Sequence, residues 1–189
     1  MKLGYLLGAA LACAPAVGGQ VSDIAHELDE IGRIGSVMVD GDVCQRIVTE
    51  RAAKAMFDSD PQDKWLASDN YDVDDAAFIA TKKTLMRLAR LTSVTCDVNL
   101  WLPIRGHPGK VRVAVRNVNE LSQFWPWGTL YQDMIPSMKT VLETGKRVKV
   151  TEKPGWTSVL APVYNSLGDI VGVLEVVTQN RFDSHANVK

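Results

Sequence analysis

Two arginines and one glutamate are the side chains whose types and spacing first suggest chemistry. Arg112 and Arg116 stand four apart in the alternating run Val111-Arg112-Val113-Ala114-Val115-Arg116, so a period of two puts both on one strand face. A guanidinium there can hold a carboxylate through two parallel hydrogen bonds; the plainer alternative is a pair of solvent-facing sheet arginines. Glu175 lies between Val173 and Val177 on one face of an apolar strand, where a carboxylate must be paired, protonated or open to water. Pairing with Arg112 or Arg116 satisfies it, and recognition of a cationic ligand is the sharper alternative. The run Phe124-Trp125-Pro126-Trp127-Gly128, with Tyr131 after it, supplies apolar walls with polar tips. Such residues suit a small organic ligand, and they equally suit plain packing.

Catalytic and metal chemistry find little here. His26, His107 and His185 fall in a helix, a turn and the tail with no nucleophile pattern beside them. GxSxG, P-loop and dinucleotide signatures are absent from the sequence. Asp69, Asp72, Asp74 and Asp75 lack the ligand spacing and terminal Glu of an EF-hand and read as a solvated loop. There is no CxxC, CxxCH or Cys/His cluster, so neither zinc nor covalent haem is expected. The expectation is a protein without cofactor and without catalytic activity. Lys and Arg total 21 against 22 Asp and Glu, a balance with no electrostatic grip on nucleic acid or anionic lipid.

After Met1 come one positive charge at Lys2, a short apolar run from Leu3 to Cys13, and small residues from Ala14 to Gly19. That is the pattern of a secretory signal cleaved after Ala16 or Gly19, too short for a stable membrane span. Residues 1–19 are therefore expected to direct the protein to a periplasmic or secreted location. Ala10-Leu11-Ala12-Cys13 is a poor lipobox. Without Cys13, two cysteines remain. A Cys44–Cys96 disulfide would close a loop of roughly 50 residues, worth about 4 kcal/mol in the chain-entropy account. Two separate buried thiols are the equal alternative.

The elements that must position these residues follow from periodicity. Ser22-Asp23 can cap a helix with Ile24, Leu28 and Ile31 on one face, its end weakened by Gly32 and Gly35. Asp42 can cap a second helix carrying Val43, Ile47, Ala52, Ala55 and Met56, broken at Asp58-Ser59-Asp60-Pro61. A third helix is expected from Asp75 to Leu91. The period then changes to two. Val94, Cys96, Val98, Leu100 and Leu102 alternate with Thr95, Asp97, Asn99 and Trp101, and the turn Arg105–Gly109 leads into Val111, Val113 and Val115. A helix begins near Pro136 and ends at Gly145. Three strands close the chain: a charged edge strand from Arg147 to Glu152, a second from Thr157 to Tyr164, and a third from Ile170 to Val177. The third is apolar on both faces and belongs in the middle of a sheet. The fold class is α+β, with N-terminal helices followed by a five-stranded antiparallel sheet.

This order resembles a Cache domain, the extracytoplasmic sensor fold of the wider PAS-like group. The residues that carry the resemblance are Thr144-Gly145-Lys146, then Trp156 through Leu174, with an Ala161-Pro162-Val163 segment, a Gly168 turn and a Gly172-Val173-Leu174 strand. It spans roughly residues 75 to 179. The resemblance implies a helical segment over 20–74, a PAS-like domain over 75–180 and a short tail over 181–189. It further implies a helical crossover between the second and third strands that covers a ligand pocket. Trp125, Trp127 and Tyr131 would sit in that lid, and Tyr164 would reach the pocket rim. Typical Cache domains stand between two membrane helices of a receptor, whereas only about ten residues follow Gln179 here. The implied function is a stand-alone sensory module that binds a small organic ligand and signals through a separate membrane-bound partner. The alternatives are a small enzyme with an NTF2-like pocket, for which Glu175 is the one candidate acid, and a purely structural interaction domain.

Overall fold

Residues 17–58, 74–126 and 129–179 are described in the computed structural model of the chain, with side chains from residue 23 onward. The expected strands form as β1 (Asp97–Pro103), β2 (Lys110–Val115), β4 (Val148–Val150), β5 (Trp156–Tyr164) and β6 (Ile170–Gln179). A further two-residue strand, β3 (Gln132–Asp133), pairs with the outer edge of β2. The sheet therefore has six strands rather than five, in the order β3-β2-β1-β6-β5-β4, and every pairing is antiparallel. The doubly apolar β6 lies between β1 and β5, as its composition demands. The charged strand expected over Arg147 to Glu152 is shorter, Val148–Val150, and does form an edge.

Both faces of the sheet are covered. On one, α1 (Val17–Met38), α2 (Gly41–Ile47) and α4 (Asp75–Leu88) pack Leu28, Ile31, Cys44, Ile47, Leu85 and Leu88 against Val98, Leu100, Val159, Ala161, Leu174 and Val176. On the other, α5 (Pro136–Thr144) buries Met138 and Val141 against Trp101, Val111, Val113, Leu160 and Val173. The helices of the N-terminal segment and the sheet thus share one core.

Two expectations for the first helices are corrected. Gly32 and Gly35 do not weaken the end of α1; they lie inside it and let its backbone approach the sheet. A Cβ on Gly32 would stand 3.3 Å from Ala161 Cβ, and one on Gly35 only 2.6 Å from Leu174 Cδ1. The cap of α2 is Asp40 rather than Asp42: its Oδ1 accepts from Val43 N at 3.1 Å. Asp42 instead accepts from Ser166 N at 2.9 Å and ties α2 to the β5–β6 turn.

The single second helix expected from the spacing is also two. α2 ends at Ile47, Val48 turns extended, and Thr49 caps α3 (Glu50–Ala55) by accepting from Ala52 N at 3.0 Å. Asp74 caps α4 in the same way. At the C-terminus of α5, Gly145 adopts φ 68, the left-handed conformation that ends the helix.

Candidate functional site

A single bulge decides where the arginines go. β1 and β2 pair Leu102 with Arg112 and Trp101 with Val113, but Leu100 pairs with Val115, leaving Ala114 as an extra residue. The extra residue inverts the alternation, so Arg112 and Arg116 lie on opposite faces of the sheet, contrary to the period-two expectation. Arg116 reaches the α5 side, where its guanidinium lies 4.1 Å from the centroid of the Trp125 ring and 3.4 Å from Glu120. Arg112 turns to the helical side and is buried, with Nη1 donating to Met56 Sδ at 3.8 Å.

Neither arginine pairs with Glu175. The carboxylate is completely buried and held by uncharged donors. Ser122 Oγ donates to Oε2 at 2.7 Å, Trp101 Nε1 at 3.0 Å and Asn99 Nδ2 at 3.4 Å. Gln123 N donates to Oε1 at 2.9 Å and Ser158 Oγ at 3.4 Å. Burial raises the carboxyl pKa above its ordinary value, opposed by the hydrogen bonds from Ser122, Gln123, Trp101 and Asn99.

The same face carries a second buried carboxylate, Asp97, which accepts from Asn119 Nδ2 at 2.9 Å and Leu121 N at 2.9 Å. Asn99 links the two groups by donating to Leu121 O at 2.7 Å and accepting from Asn117 N at 3.1 Å. Residues 117–125 are therefore stapled to the sheet by β1 and β6 side chains. Ser122 extends the staple by accepting from Phe124 N and Trp125 N.

Sequence reasoning gave Asp97 and Asn99 the correct face but not this role, and it missed Trp101, Ser122, Gln123 and Ser158. The usable signal was three polar positions on one face of three neighbouring strands: Asn99 directly opposes Glu175, and Ser158 lies diagonal to it, two residues from Leu160, which opposes Glu175 from β5.

The aromatic candidates do not converge. Trp125 is half-buried and packs on the Trp101–Met138 cluster. Trp127 lies outside the described residues. Tyr131 belongs to a separate cluster at the β1–β2 turn, with its ring 4.5 Å from that of Phe57, which in turn stacks on His107 at 3.5 Å. Tyr164 is exposed, and its hydroxyl would meet a Cβ on Gly145 at 2.8 Å. Cys44 and Cys96 are free, buried thiols rather than a disulfide. Cys44 lies 3.8 Å from Thr81 Oγ1, and Cys96 points to Ala89 O.

Arg112 does line a cleft. The break between α2 and α3 leaves a space of about 320 Å³ bounded by Gln45, Val48, Thr49, Glu50 and Ala53 on one side. Leu102, Ile104, Arg112 and Val171 from the strand ends form the other. Its described walls are largely aliphatic; among the described residues Arg112 is its one buried charged side chain, and Glu50 and Arg105 stand at its exposed margin. The space lies on the helical side of the sheet. On the α5 side, where the family resemblance puts the pocket, the described residues Trp101, Met138, Val141 and Leu160 are packed together.

No family model and no curated protein matches the chain. Among solved structures, the inducer-binding domain of a double mutant of the PobR transcription factor from Acinetobacter, in complex with 3-hydroxybenzoic acid, is similar over 54% of this chain and 82% of that chain. Identity is 13% and the TM-score 0.35, so the likeness carries no argument about this chain. Among the described residues no helix is long and apolar enough to cross a membrane, and no group of three or more acidic, His or Cys side chains is placed to hold a metal ion.

Proposed function

We propose that the chain is an exported, stand-alone, Cache-like module of the PAS-like group that binds a small organic ligand without catalysing a reaction. Support for the fold assignment comes from the antiparallel order β2-β1-β6-β5-β4, with the last strand central and α5 in the connection between β2 and β4. Signalling would pass to a separate membrane-bound partner.

The single observation that carries the binding reading is the cleft between the α2–α3 break and the strand ends, with a buried guanidinium against aliphatic walls. Its volume of about 320 Å³ is at the small end of ligand pockets. The proposed site is therefore on the helical side of the sheet. Of the sequence candidates it keeps Arg112 and leaves out Arg116, Trp125, Tyr131, Tyr164 and Glu175. Glu175, the one candidate acid of the enzyme alternative, lines neither this cleft nor the groove beside Cys96, and its oxygens are engaged by five donors.

A thermal-shift screen of the purified protein with carboxylates, amines and purines tests the reading. One class should raise the melting temperature in a concentration-dependent way, and Ala53→Phe, which fills the cleft, should abolish the rise. Silence from all three classes would overturn ligand binding and favour the interaction-domain alternative.

A further inference from the structure

We propose that the groove at the C-terminal end of α4, with the basic face beside it, docks an acidic peptide segment of a partner protein, seated by an apolar side chain. This surface is separate from the cleft beside Arg112, and neither proposal depends on the other.

From residue 76 to residue 96 the chain has four cations, Lys82, Lys83, Arg87 and Arg90, and no acid. The even charge balance of the whole chain conceals this stretch. Ala77, Thr81, Leu85 and Leu88 turn inward to the core. The helical period therefore sends Ile79, Lys83 and Met86 down the opposite side, and Arg90 follows in the turn after the helix. Lys83, Arg87 and Arg90 are exposed, and none of the three pairs with an acid among the described residues. The acids beside the groove are engaged. Glu27 accepts from Thr92 Oγ1, Asp97 is buried beneath Asn119 and Leu121, and Glu120 reaches Arg116. The face thus matches an anionic partner.

The groove gives that partner its shape. It holds about 360 Å³ between Met86, Ala89 and Arg90 at the helix end and the chain at 92–96 and 117–119. Met86, Ala89, Val94 and Val118 supply hydrocarbon, and Val118 is 65% exposed. Ser93 and Thr95 are exposed at its margin, where their hydroxyls can meet the amide groups of an extended chain. Lys83 lies about 10 Å along the helix axis from Arg90, so an occupant that fills the groove and meets every cation has the length of a peptide. A bilayer takes up apolar groups that protrude, whereas these line a recess.

The test is fluorescence anisotropy of the full chain with a labelled peptide of about twelve residues, built of Asp and Glu around two Phe. Its controls are the same peptide with Ser for Phe, vesicles of phosphatidylcholine with about 30% phosphatidylserine, and a DNA duplex of about 20 base pairs. The Phe peptide should bind saturably, about fivefold or more tighter than the Ser peptide, and weaken as salt rises. The combined variant Lys83→Glu, Arg87→Glu, Arg90→Glu should lose at least about tenfold in affinity. An equal charge change elsewhere, Lys139→Glu, Lys146→Glu, Lys149→Glu, should alter it by less than about twofold. All six side chains are exposed, and Val118→Ser, also at an exposed position, should weaken the Phe peptide but not the Ser peptide.

Equal losses in the two triple variants would reduce the effect to net charge and overturn the proposal. Equal binding of the two peptides would remove the groove from it. Tighter binding of vesicles or of DNA, lost on reversing Lys83, Arg87 and Arg90, would give the face to lipid or nucleic acid instead. Self-association lost in the same variant by sedimentation would give it to a second copy of this chain. Absence of binding by both peptides would overturn the proposal and leave the ligand-binding reading of the cleft untouched.

Discussion

Replacing Glu175 by glutamine changes one oxygen into an N–H₂ group at nearly constant volume, and the donors around the carboxylate determine the outcome. If the amide nitrogen takes the Oε2 position, it faces Trp101 Nε1–H, formerly 3.0 Å from its acceptor, and the Asn99 amide, also a donor. If it takes the Oε1 position, it faces the Gln123 backbone N–H, formerly 2.9 Å away. Either orientation strands at least one buried N–H, at a cost of about 1–3 kcal/mol. For a chain of this size that is a fall in melting temperature of roughly 2–12 °C. Urea denaturation should show a lower midpoint with an unchanged slope. Hydrogen exchange at the Gln123 amide should accelerate, because this bond anchors the segment over β6.

The pH dependence has a definite sign. Burial raises the Glu175 carboxyl above the ordinary 4.5, so the folded state binds this proton more tightly than the unfolded chain does. Its contribution to stability is complete at pH below the unfolded value and fades as pH rises through the raised folded value. Glu175→Gln cannot titrate, so its stability curve should lack that decline. Unaltered exchange at the Gln123 amide in the variant would refute the staple account, whatever the net stability at neutral pH, because loss of the buried charge offsets the stranded N–H there.

Three further perturbations test the packing. Gly41→Ala should destabilise more than Gly35→Ala, although alanine favours helices: the new Cβ would stand 2.4 Å from the Tyr164 carbonyl oxygen, against 2.6 Å from the movable Leu174 Cδ1. The latter should cost about 1–3 kcal/mol by denaturant titration, and equal costs would contradict the distinction between backbone and side-chain contact. Burial raises the thiols of Cys44 and Cys96 to about 12 and about 11, so iodoacetamide at pH 8 should label neither in the folded protein and both in denaturant. Rapid native labelling, or an intact mass lower by two hydrogens, would contradict the buried free thiols. Arg147 holds Asp29 with two bonds of 2.8 and 2.9 Å, but both side chains are about a third exposed. Arg147→Ala should therefore cost at most about 1 kcal/mol and matter less in high salt. The bonded guanidinium lowers the Asp29 pKa, so the pair's contribution is present above the unfolded value near 3.8 and disappears as pH falls through the lowered one.

Much of the sheet was legible because burial writes itself into composition. β6 has Leu174 and Val176 against the helices and Val173 against α5, and such a strand has no place at a margin. The hairpin of β1 and β2 and the Pro136–Gly145 helix were readable from alternation, Pro at the first helical position and Gly at the end. The break at Val48-Thr49 was not read, although the five-residue step from Ile47 to Ala52 departs from the helical spacing of three or four that Val43–Ile47 and Ala52–Ala55 each keep. Thr49 announces a cap only when its bond to Ala52 N is seen. β3 was invisible for a different reason: two residues offer no period to detect.

The site was harder to read than the fold because a fold averages over many residues, whereas a site depends on the parity of one strand. Alternation predicts the faces of Arg112 and Arg116 from their separation alone, and that separation is even. One unpaired residue, Ala114, makes the effective separation odd and sends Arg116 to Trp125 and Arg112 to the cleft. No residue in Val111–Arg116 is a glycine or proline, so the bulge leaves no mark in the sequence. Its consequence shows across the ladder: Val113 joins Trp101 on the α5 face, and Val115 joins Leu100 against the helices. With Arg116 over Trp125 and Arg112 turned to the helices, the regular alternation of β6 from Gly172 to Gln179 leaves Glu175 facing Asn99, Trp101 and the Ser122–Gln123 segment instead of a cation. The buried charge of β6 is thus solvated by a loop, and the buried charge of β2 is turned to the cleft.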